Sequence, residues 1–504
     1  MRQFILELSD TIKSNKYIVI LTAISAFASY AYFIFSWNIT IDTELATYDI
    51  GNSNFLYPLY IQFIKLGRPI LGIFTFFLSE PTPYFNSLFA VIFLFSSYLI
   101  WILIITKLNS DKTLIIIFGL FYLISPIYIF QFSFFNQSMF VGLGFIFSAL
   151  SLYYLTLSYK SSNRYKSILI SIIFLYLALG IYQAFIILFL EGAVFTLIIS
   201  RLNTDINTKT IRSHISLVFV ITLLALITYF VTTHIIYLFI PKSNYLSLTF
   251  DGWLNNQSLW DNIVGLTDYL YQLLTSQFTI LYSLCFILLI SLLFRIRFSS
   301  FLLVLAGLII PILMPLLFLS PMPLRTLFAI PFSIALMAVV CYRAFQYKKI
   351  ILTVSIFISL INFNQISKLT YSENMAQKYN ERIVTSIYQD IYHTYGNSTY
   401  HTAIVFVASK NIENNYFIKE TLKQPFHTSN DLDLFSNIFP DQSWQDSNLN
   451  HRAYYFMHWL GLYYQMPTHE QIKQAKYLAT NMPIYPDKGA IELKDNIIIV
   501  KLSN

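Results

Sequence analysis

The sequence predicts an α-helical polytopic membrane protein with about eleven transmembrane helices, closed by a small C-terminal α/β domain. Three observations carry this. Only 11% of the 504 residues are charged and 56% are hydrophobic, whereas a soluble globular chain carries about 25% charged residues. Apolar runs approaching or exceeding the roughly 20 residues that cross a bilayer recur from Tyr17 to Ile366. From about Leu369 onward, charged residues, Asn, Gln and Tyr become frequent and no further run appears. The chain therefore divides into a transmembrane domain, residues 1–368, and an outer-face domain, residues 369–504.

Residues 1–16 are short, mixed and basic on balance, which places them in the cytoplasm. The first span is Tyr17 to Trp37. Ala26-Phe-Ala28 mimics a signal-peptidase site, but the apolar run continues through Phe35, so the span stays uncleaved. The loop Ile39-Thr-Ile-Asp-Thr-Glu-Leu45 follows and puts Asp42 and Glu44 on one side of an extended segment. Next come an amphipathic stretch from Phe55 to Leu66, the interruption Gly67-Arg68-Pro69, and the run Ile70 to Leu78, too short to span. Such a loop lies along the membrane surface and sets acids and an arginine at headgroup depth.

Spans two to four are expected at about Tyr84–Thr106, Thr113–Phe130 and Gln137–Leu157. The run from Ser167 to Ser200 is barely long enough for two crossings. Lys160, Arg164 and Lys166 precede it, and Arg201, Lys209 and Arg212 follow it, so both flanks read as cytoplasmic. An even number of crossings is then required, and the run is split near Gly180-Ile-Tyr-Gln183. Span seven is His214 to Ile240, and a second outer loop, 241–275, carries Trp253 and Trp260 at interface positions. Span eight ends at Arg295-Ile-Arg297. Span nine is Phe301 to Leu319, and a tight outer turn at Ser320-Pro-Met-Pro-Leu-Arg325 leads into span ten. Span eleven is Ile350 to Ile366, which leaves the C-terminus outside. In the tail, helices are expected over Thr370–Tyr395, Arg452–Tyr464 and His469–Asn481, a strand over Ala403–Ala408, and two strands turning at Asp495-Asn496.

The formal charge of +7 does not point to nucleic acid, because the basic residues are scattered through short loops. Cys285 and Cys341 both lie in apolar runs, which argues against a disulfide framework. The eight histidines show no zinc spacing. No phosphate-cradling glycine motif or serine nucleophile elbow is present, and the absence of a P-loop argues against a nucleotide-driven pump. What remains are the outer-face residues. Asp42 and Glu44 are either a solvated loop or a catalytic pair. Arg68 and Arg325 each sit at the end of an apolar segment, either snorkelling to headgroups or gripping phosphate with the bidentate fork of guanidinium. Tyr182 and Gln183, at the outer hairpin of spans five and six, are helix-end residues or substrate contacts. Glu191 lies inside a span, where an ionisable group defaults to a functional or paired role.

The ordered set Ile41-Asp-Thr-Glu-Leu45, Lys65-Leu-Gly-Arg-Pro69, Gly180-Ile-Tyr-Gln-Ala-Phe185, Met322-Pro-Leu-Arg-Thr-Leu-Phe328, and Pro486-Asp-Lys-Gly-Ala with Ile499-Val-Lys-Leu502 resembles the serotype-converting, O-antigen-modifying glucosyltransferase II family of bacterial membrane enzymes. The resemblance covers nearly the whole chain. One departure is that Thr43 separates two acids that are often adjacent in that family, which leaves open which is the base. The resemblance implies a type C glycosyltransferase in the bacterial cytoplasmic membrane. Its donor would be a polyprenyl-phosphate sugar, usually undecaprenyl-phosphate glucose, and its acceptor a lipid-linked or surface glycan on the outer face. Membrane lipids, a flippase and a donor-lipid synthase would be its pathway partners. Asp42, with Glu44, would act as base in an inverting transfer, and Arg68 and Arg325 would hold the departing lipid phosphate. A divalent metal between the acids is an option that two carboxylates alone do not establish. The competing readings are a lipid-linked glycan flippase or carrier, and a glycan polymerase or ligase.

Overall fold

A computed structural model of the chain describes residues 2–36, 59–78, 83–109, 111–159, 163–203, 208–243, 258–396, 402–408 and 442–503. Among these residues the protein is mostly helical with one small sheet. Seven helices are long and apolar enough to cross a membrane: Lys16–Phe35, Tyr84–Leu108, Phe135–Ser158, Arg164–Ile181, Thr210–Tyr237, Phe298–Phe318 and Lys348–Tyr395. An eighth span is counted if Leu259–Thr275 and Ile280–Leu292, bent by 89° at the break, are taken as one. The chain is a membrane protein on this ground.

The helices used below are α1 (Arg2–Ser14), α2 (Lys16–Phe35), α3 (Leu59–Lys65), α4 (Pro69–Phe77), α5 (Pro83–Leu108), α6 (Lys112–Leu123), α7 (Ile127–Phe132), α8 (Phe135–Ser158), α9 (Arg164–Ile181), α10 (Phe185–Asn203) and α11 (Thr208–Tyr237). They are followed by α12 (Leu259–Thr275), α13 (Ile280–Leu292), α14 (Phe298–Ile309), α15 (Leu313–Phe318), α16 (Ile330–Ala344) and α17 (Lys348–Tyr395). The run from Ser167 to Ser200 does divide, with α9 ending at Ile181 and α10 beginning at Phe185.

Several expected elements differ in detail. The run Thr113–Phe130 is not one helix: α6 stops at Leu123 and α7 starts at Ile127. Pro126 has no N–H to donate and disfavours helical backbone at Ser125. The carbonyls this frees are taken up by other helices. Asn362 Nδ2 of α17 donates to Ile124 O at 2.9 Å, and Tyr30 Oη of α2 donates to Ser125 O at 3.0 Å. The second difference is α12, a helix within the segment expected as an outer loop. It carries a genuine N-cap, with Ser258 Oγ accepting from Asp261 N at 3.1 Å.

The core of the membrane part is aromatic. Trp101 of α5 packs on Phe332 of α16 at 4.7 Å between ring centroids, and Phe118 of α6 lies 5.0 Å from Phe195 of α10. Four elements thus meet in one ring cluster. Contacts sort the connections to two ends of the bundle. At one end Tyr153 Oη donates to Glu7 at 2.6 Å, Lys107 pairs with Glu7, Lys112 donates to Ser14 O, and Arg201 reaches Ser299. At the other end lie Arg68, Gln183, Arg325 and Glu373.

The last membrane helix does not stop where the tail begins. α17 runs unbroken through 48 residues, about 70 Å at 1.5 Å per residue, against a hydrocarbon core of about 30 Å. Its far half presents Val384, Ile387 and Ile391 on one face to the tail's core. That core surrounds strands β1 (Ala403–Val407), β2 (Ile491–Lys494) and β3 (Ile497–Lys501) in the order β1-β3-β2. β1 is parallel to β3 and β2 antiparallel to it. Side chains alternate across the sheet. Ile404, Phe406, Ile498 and Val500 face α17 and the helix α18 (Gln442–Trp459), while Val405, Val407, Ile497 and Ile499 face the helix α19 (His469–Leu478). The β2–β3 turn falls on Asp495 and Asn496, with φ of 49° and 60°. A left-handed pair is what a two-residue hairpin demands, and Asp and Asn tolerate it best after glycine. The helix expected at Arg452–Tyr464 starts earlier and ends at Trp459, before Gly461 at φ 77°.

Candidate functional site

Asp42, Glu44 and Trp253 lie outside the described residues. The described chain ends at Ser36, just short of the acidic turn. The end of α2 is nonetheless placed: Phe35 packs beside Tyr84 at 6.0 Å, and Tyr32 beside Tyr371 of α17 at 6.0 Å.

The α3–α4 connection, Leu66-Gly67-Arg68, is built from its backbone outward. Gly67 has φ +71°, and a Cβ there would come within 2.9 Å of Tyr229 Oη and 3.2 Å of Gln183 Nε2. Only glycine meets both demands, left-handed backbone and close approach. The carbonyls of Lys65, Leu66 and Gly67 are then claimed by distant side chains. Gln183 Nε2 donates to Leu66 O at 3.2 Å and Gly67 O at 3.0 Å. Tyr229 Oη donates to Gly67 O at 2.7 Å, and Tyr237 Oη to Lys65 O at 3.3 Å. Pro69 opens α4 at a position where a missing N–H costs nothing. Gly180 lets α4 lie close to α9, because a Cβ there would fall 2.3 Å from Ile70 Cγ1.

This turn aims Arg68. Its Nη1 donates to Gln137 Oε1 at 2.9 Å, and its guanidinium sits 4.4 Å above the Tyr182 ring. Gln137 is in the first turn of α8, and Tyr182 caps α9. Tyr182 in turn lies 6.1 Å from Phe328, just past the short 3₁₀ turn Leu324–Thr326. Arg325 of that turn lies over Phe134 at 4.7 Å. The two arginines, 257 positions apart in sequence, thus rest on one short hairpin, Phe134 to Gln137. Tyr182 and Gln183 have separable places: Tyr182 under Arg68, and Gln183 behind the turn that presents it.

The hairpin also holds a carboxyl group that sequence reading passed over. Ser133 Oγ donates to Glu373 Oε1 at 2.7 Å, and Glu373 is only 8% exposed. Its neighbour Asn374 accepts from Tyr32 Oη at 3.2 Å. The available signal was an acid just beyond the last apolar run, which resembles any solvated helix. Glu191, in contrast, is separate from these residues. It is fully buried, with Ser333 Oγ 2.8 Å from its Oε1 and 2.9 Å from Gly307 O. It joins α10, α14 and α16.

Among the described residues no group of three or more His, Cys, Asp or Glu side chains could hold a metal ion. The described side chains around Arg68 and Arg325 are cationic and aromatic. Two guanidinium groups stacked on rings at one end of a membrane bundle suit an anionic headgroup, and a buried carboxyl group lies alongside.

A family model described as glucosyl transferase GtrII matches residues 31–342. The match takes in more than half of the chain, from the end of α2 through α16, and includes Asp42, Glu44, Arg68, Tyr182, Gln183 and Arg325 but not Glu373. No curated protein and no solved structure matches the chain.

Proposed function

Since the chain belongs to the GtrII glucosyl transferase family, we propose that it moves a sugar, glucose first among candidates, from a polyprenyl-phosphate donor to a surface glycan such as O-antigen on the outer face of the bacterial cytoplasmic membrane. Glycosyl transfer itself follows from the family. The donor, the acceptor and the face are this reading's own, and the convergence of Arg68 and Arg325 on Phe134–Gln137 carries it. A lipid phosphate presents its charge at headgroup depth, where arginine's planar fork binds it best.

In this reading the architecture is that of a type C glycosyltransferase with eleven crossings. The reading assigns these crossings to the seven long helices, the bent α12–α13 pair, the 19-residue α10, and the shorter α6 and α16. The N-terminus is cytoplasmic, and residues 369–504 form the outer domain. Asp42 takes the proton from an acceptor hydroxyl as it attacks the anomeric carbon with inversion, and Glu44 orients the acceptor or shares that role. Arg68 and Arg325 stabilise the charge that builds on the departing phosphate as the glycosidic bond breaks. Gln183, by holding the carbonyls behind Arg68, keeps the guanidinium aimed.

The test is mass analysis of the host's surface glycan with and without the gene, joined to donor-binding measurements. Loss of one hexose per repeat unit is expected on deletion. Arg68→Ala and Arg325→Ala should weaken binding of undecaprenyl-phosphate glucose, and Lys at either position should rescue only in part. An unchanged glycan on deletion, or donor affinity indifferent to both arginines, overturns the proposal.

A further inference from the structure

We propose that Glu373 is a carboxyl group of the arginine site and binds a hydroxyl of a sugar substrate through Oε2. This rests on the glycosyl-transfer reading. Three observations converge. Glu373 is more than nine-tenths buried, and its Oε1 is occupied by Ser133, yet Oε2 has no hydrogen-bond partner among the described residues. Buried polar atoms are ordinarily paired, so an oxygen left open points to a ligand. Second, Ser133 immediately precedes Phe134, the ring under Arg325, and lies four residues before Gln137, the partner of Arg68. The carboxyl is thereby tied to the same hairpin that both arginines use. Third, the adjacent Asn374 accepts a hydrogen bond from Tyr32 in the last turn of α2, which fixes this part of α17 against the bundle.

The chemistry distinguishes sugar from lipid phosphate. A carboxyl oxygen accepts hydrogen bonds from sugar hydroxyls, whereas the guanidinium groups match the phosphate. Cations for the phosphate and a carboxyl for the sugar would orient a lipid-linked sugar end to end. Glu373 also sits on α17, whose far half belongs to the tail's core, so a glycan acceptor reaching the site from that side would meet the same residue. The shared chemistry is a sugar hydroxyl, and the experiment separates its two sources.

The measurement uses full-length protein in membranes. Glu373→Gln keeps an acceptor oxygen for Ser133 and replaces the other oxygen with a donor. Affinity is measured for undecaprenyl-phosphate glucose and for undecaprenyl phosphate, which lacks the sugar, together with the acceptor KM. A donor-sugar contact lowers affinity for the glucose-bearing lipid about tenfold or more and leaves the bare lipid phosphate unchanged. An acceptor contact raises the acceptor KM by a similar factor with both lipids unaffected. Purely structural damage moves both lipids together and overturns the proposal. So does a Glu373→Gln protein with all three values at the parent's level. Should Glu373→Gln not insert, Ser133→Ala loosens the carboxyl without removing it and must shift one of the sugar-dependent values; if none moves, the proposal is lost. If the parent protein itself transfers no sugar from undecaprenyl-phosphate glucose, the functional reading fails, a result distinct from any of these.

Discussion

Arg68 draws its direction from the turn it stands on. Gln183 and Tyr229 grip the carbonyls of Leu66 and Gly67, and the guanidinium then falls between Gln137 and the Tyr182 ring. The proposed base is one loop away, and its prediction belongs at this scale. Asp42→Asn keeps size and hydrogen bonding but removes the proton acceptor. Turnover should fall about 10²-fold or more with donor binding nearly unchanged. A well-inserted Asp42→Asn protein that transfers sugar at the parent's rate would make the acidic turn a surface loop. Glu191 carries a second prediction. The Ser333 hydroxyl has one proton for two oxygen neighbours, Glu191 Oε1 and Gly307 O. A Gln at 191 can donate to Ser333 and let Ser333 serve Gly307. Glu191→Gln should therefore retain thermal stability and transfer, while Glu191→Ala should cost about 2–5 kcal/mol through the cavity it leaves. Loss of transfer by Glu191→Gln with stability intact would assign Glu191 a part in the chemistry instead of in helix packing.

Among the elements, α17 matters most, because one continuous helix serves two cores. Its first half packs in the membrane bundle through Asn362, Ile366 and Leu369, and its second half supports the tail's sheet through Val384, Ile387 and Ile391. Lys378 is exposed between them. Proline there removes a helical hydrogen bond and clashes with the preceding turn, at about 3 kcal/mol or more. Lys378→Pro should reduce transfer by uncoupling the tail from Glu373 and Asn374, while Lys378→Ala should be silent. Equal activity of the two variants, measured alongside insertion level, would show that the helix need not be continuous. The α6–α7 break is the opposite case. Pro126 interrupts a run, and Asn362 and Tyr30 absorb the exposed carbonyls. Beyond the interruption, buried Ser133 and Gln137 flank the half-buried ring of Phe134.

At the scale of the whole molecule, the two ends of the bundle carry different chemistry. One end joins Glu7, Lys107 and Tyr153, and the other joins Arg68, Gln137, Arg325 and Glu373. The proposed topology, which rests on loop charge bias, has the first in the cytoplasm and the second outside. A reporter fused after Ser503 should then be active only in an outer-face assay. A cytoplasmic signal would invert the site and remove the lipid-phosphate donor from its reach.

Legibility in the sequence followed from what is local. Hydropathy marked the membrane runs, because burying backbone in lipid requires helices and apolar side chains wherever the chain crosses. Basic flanks were enough to divide the run at Gly180, and Asp495-Asn496 announced its own hairpin through left-handed backbone preference. Arg68, Arg325, Tyr182 and Gln183 were legible as individual polar residues at apolar ends. Their roles toward one another were not, since Arg68 and Arg325 meet only through a hairpin far from both in sequence. Glu373 was not legible at all: an acid beyond an apolar run looks solvated until folding buries it against Ser133. The sequence by itself determined which runs are helical and apolar enough to cross a membrane. Only the tertiary structure decided which of its scattered charges share a place, because side-chain convergence is a property of packing between helices and leaves no trace in the periodicity of any one of them.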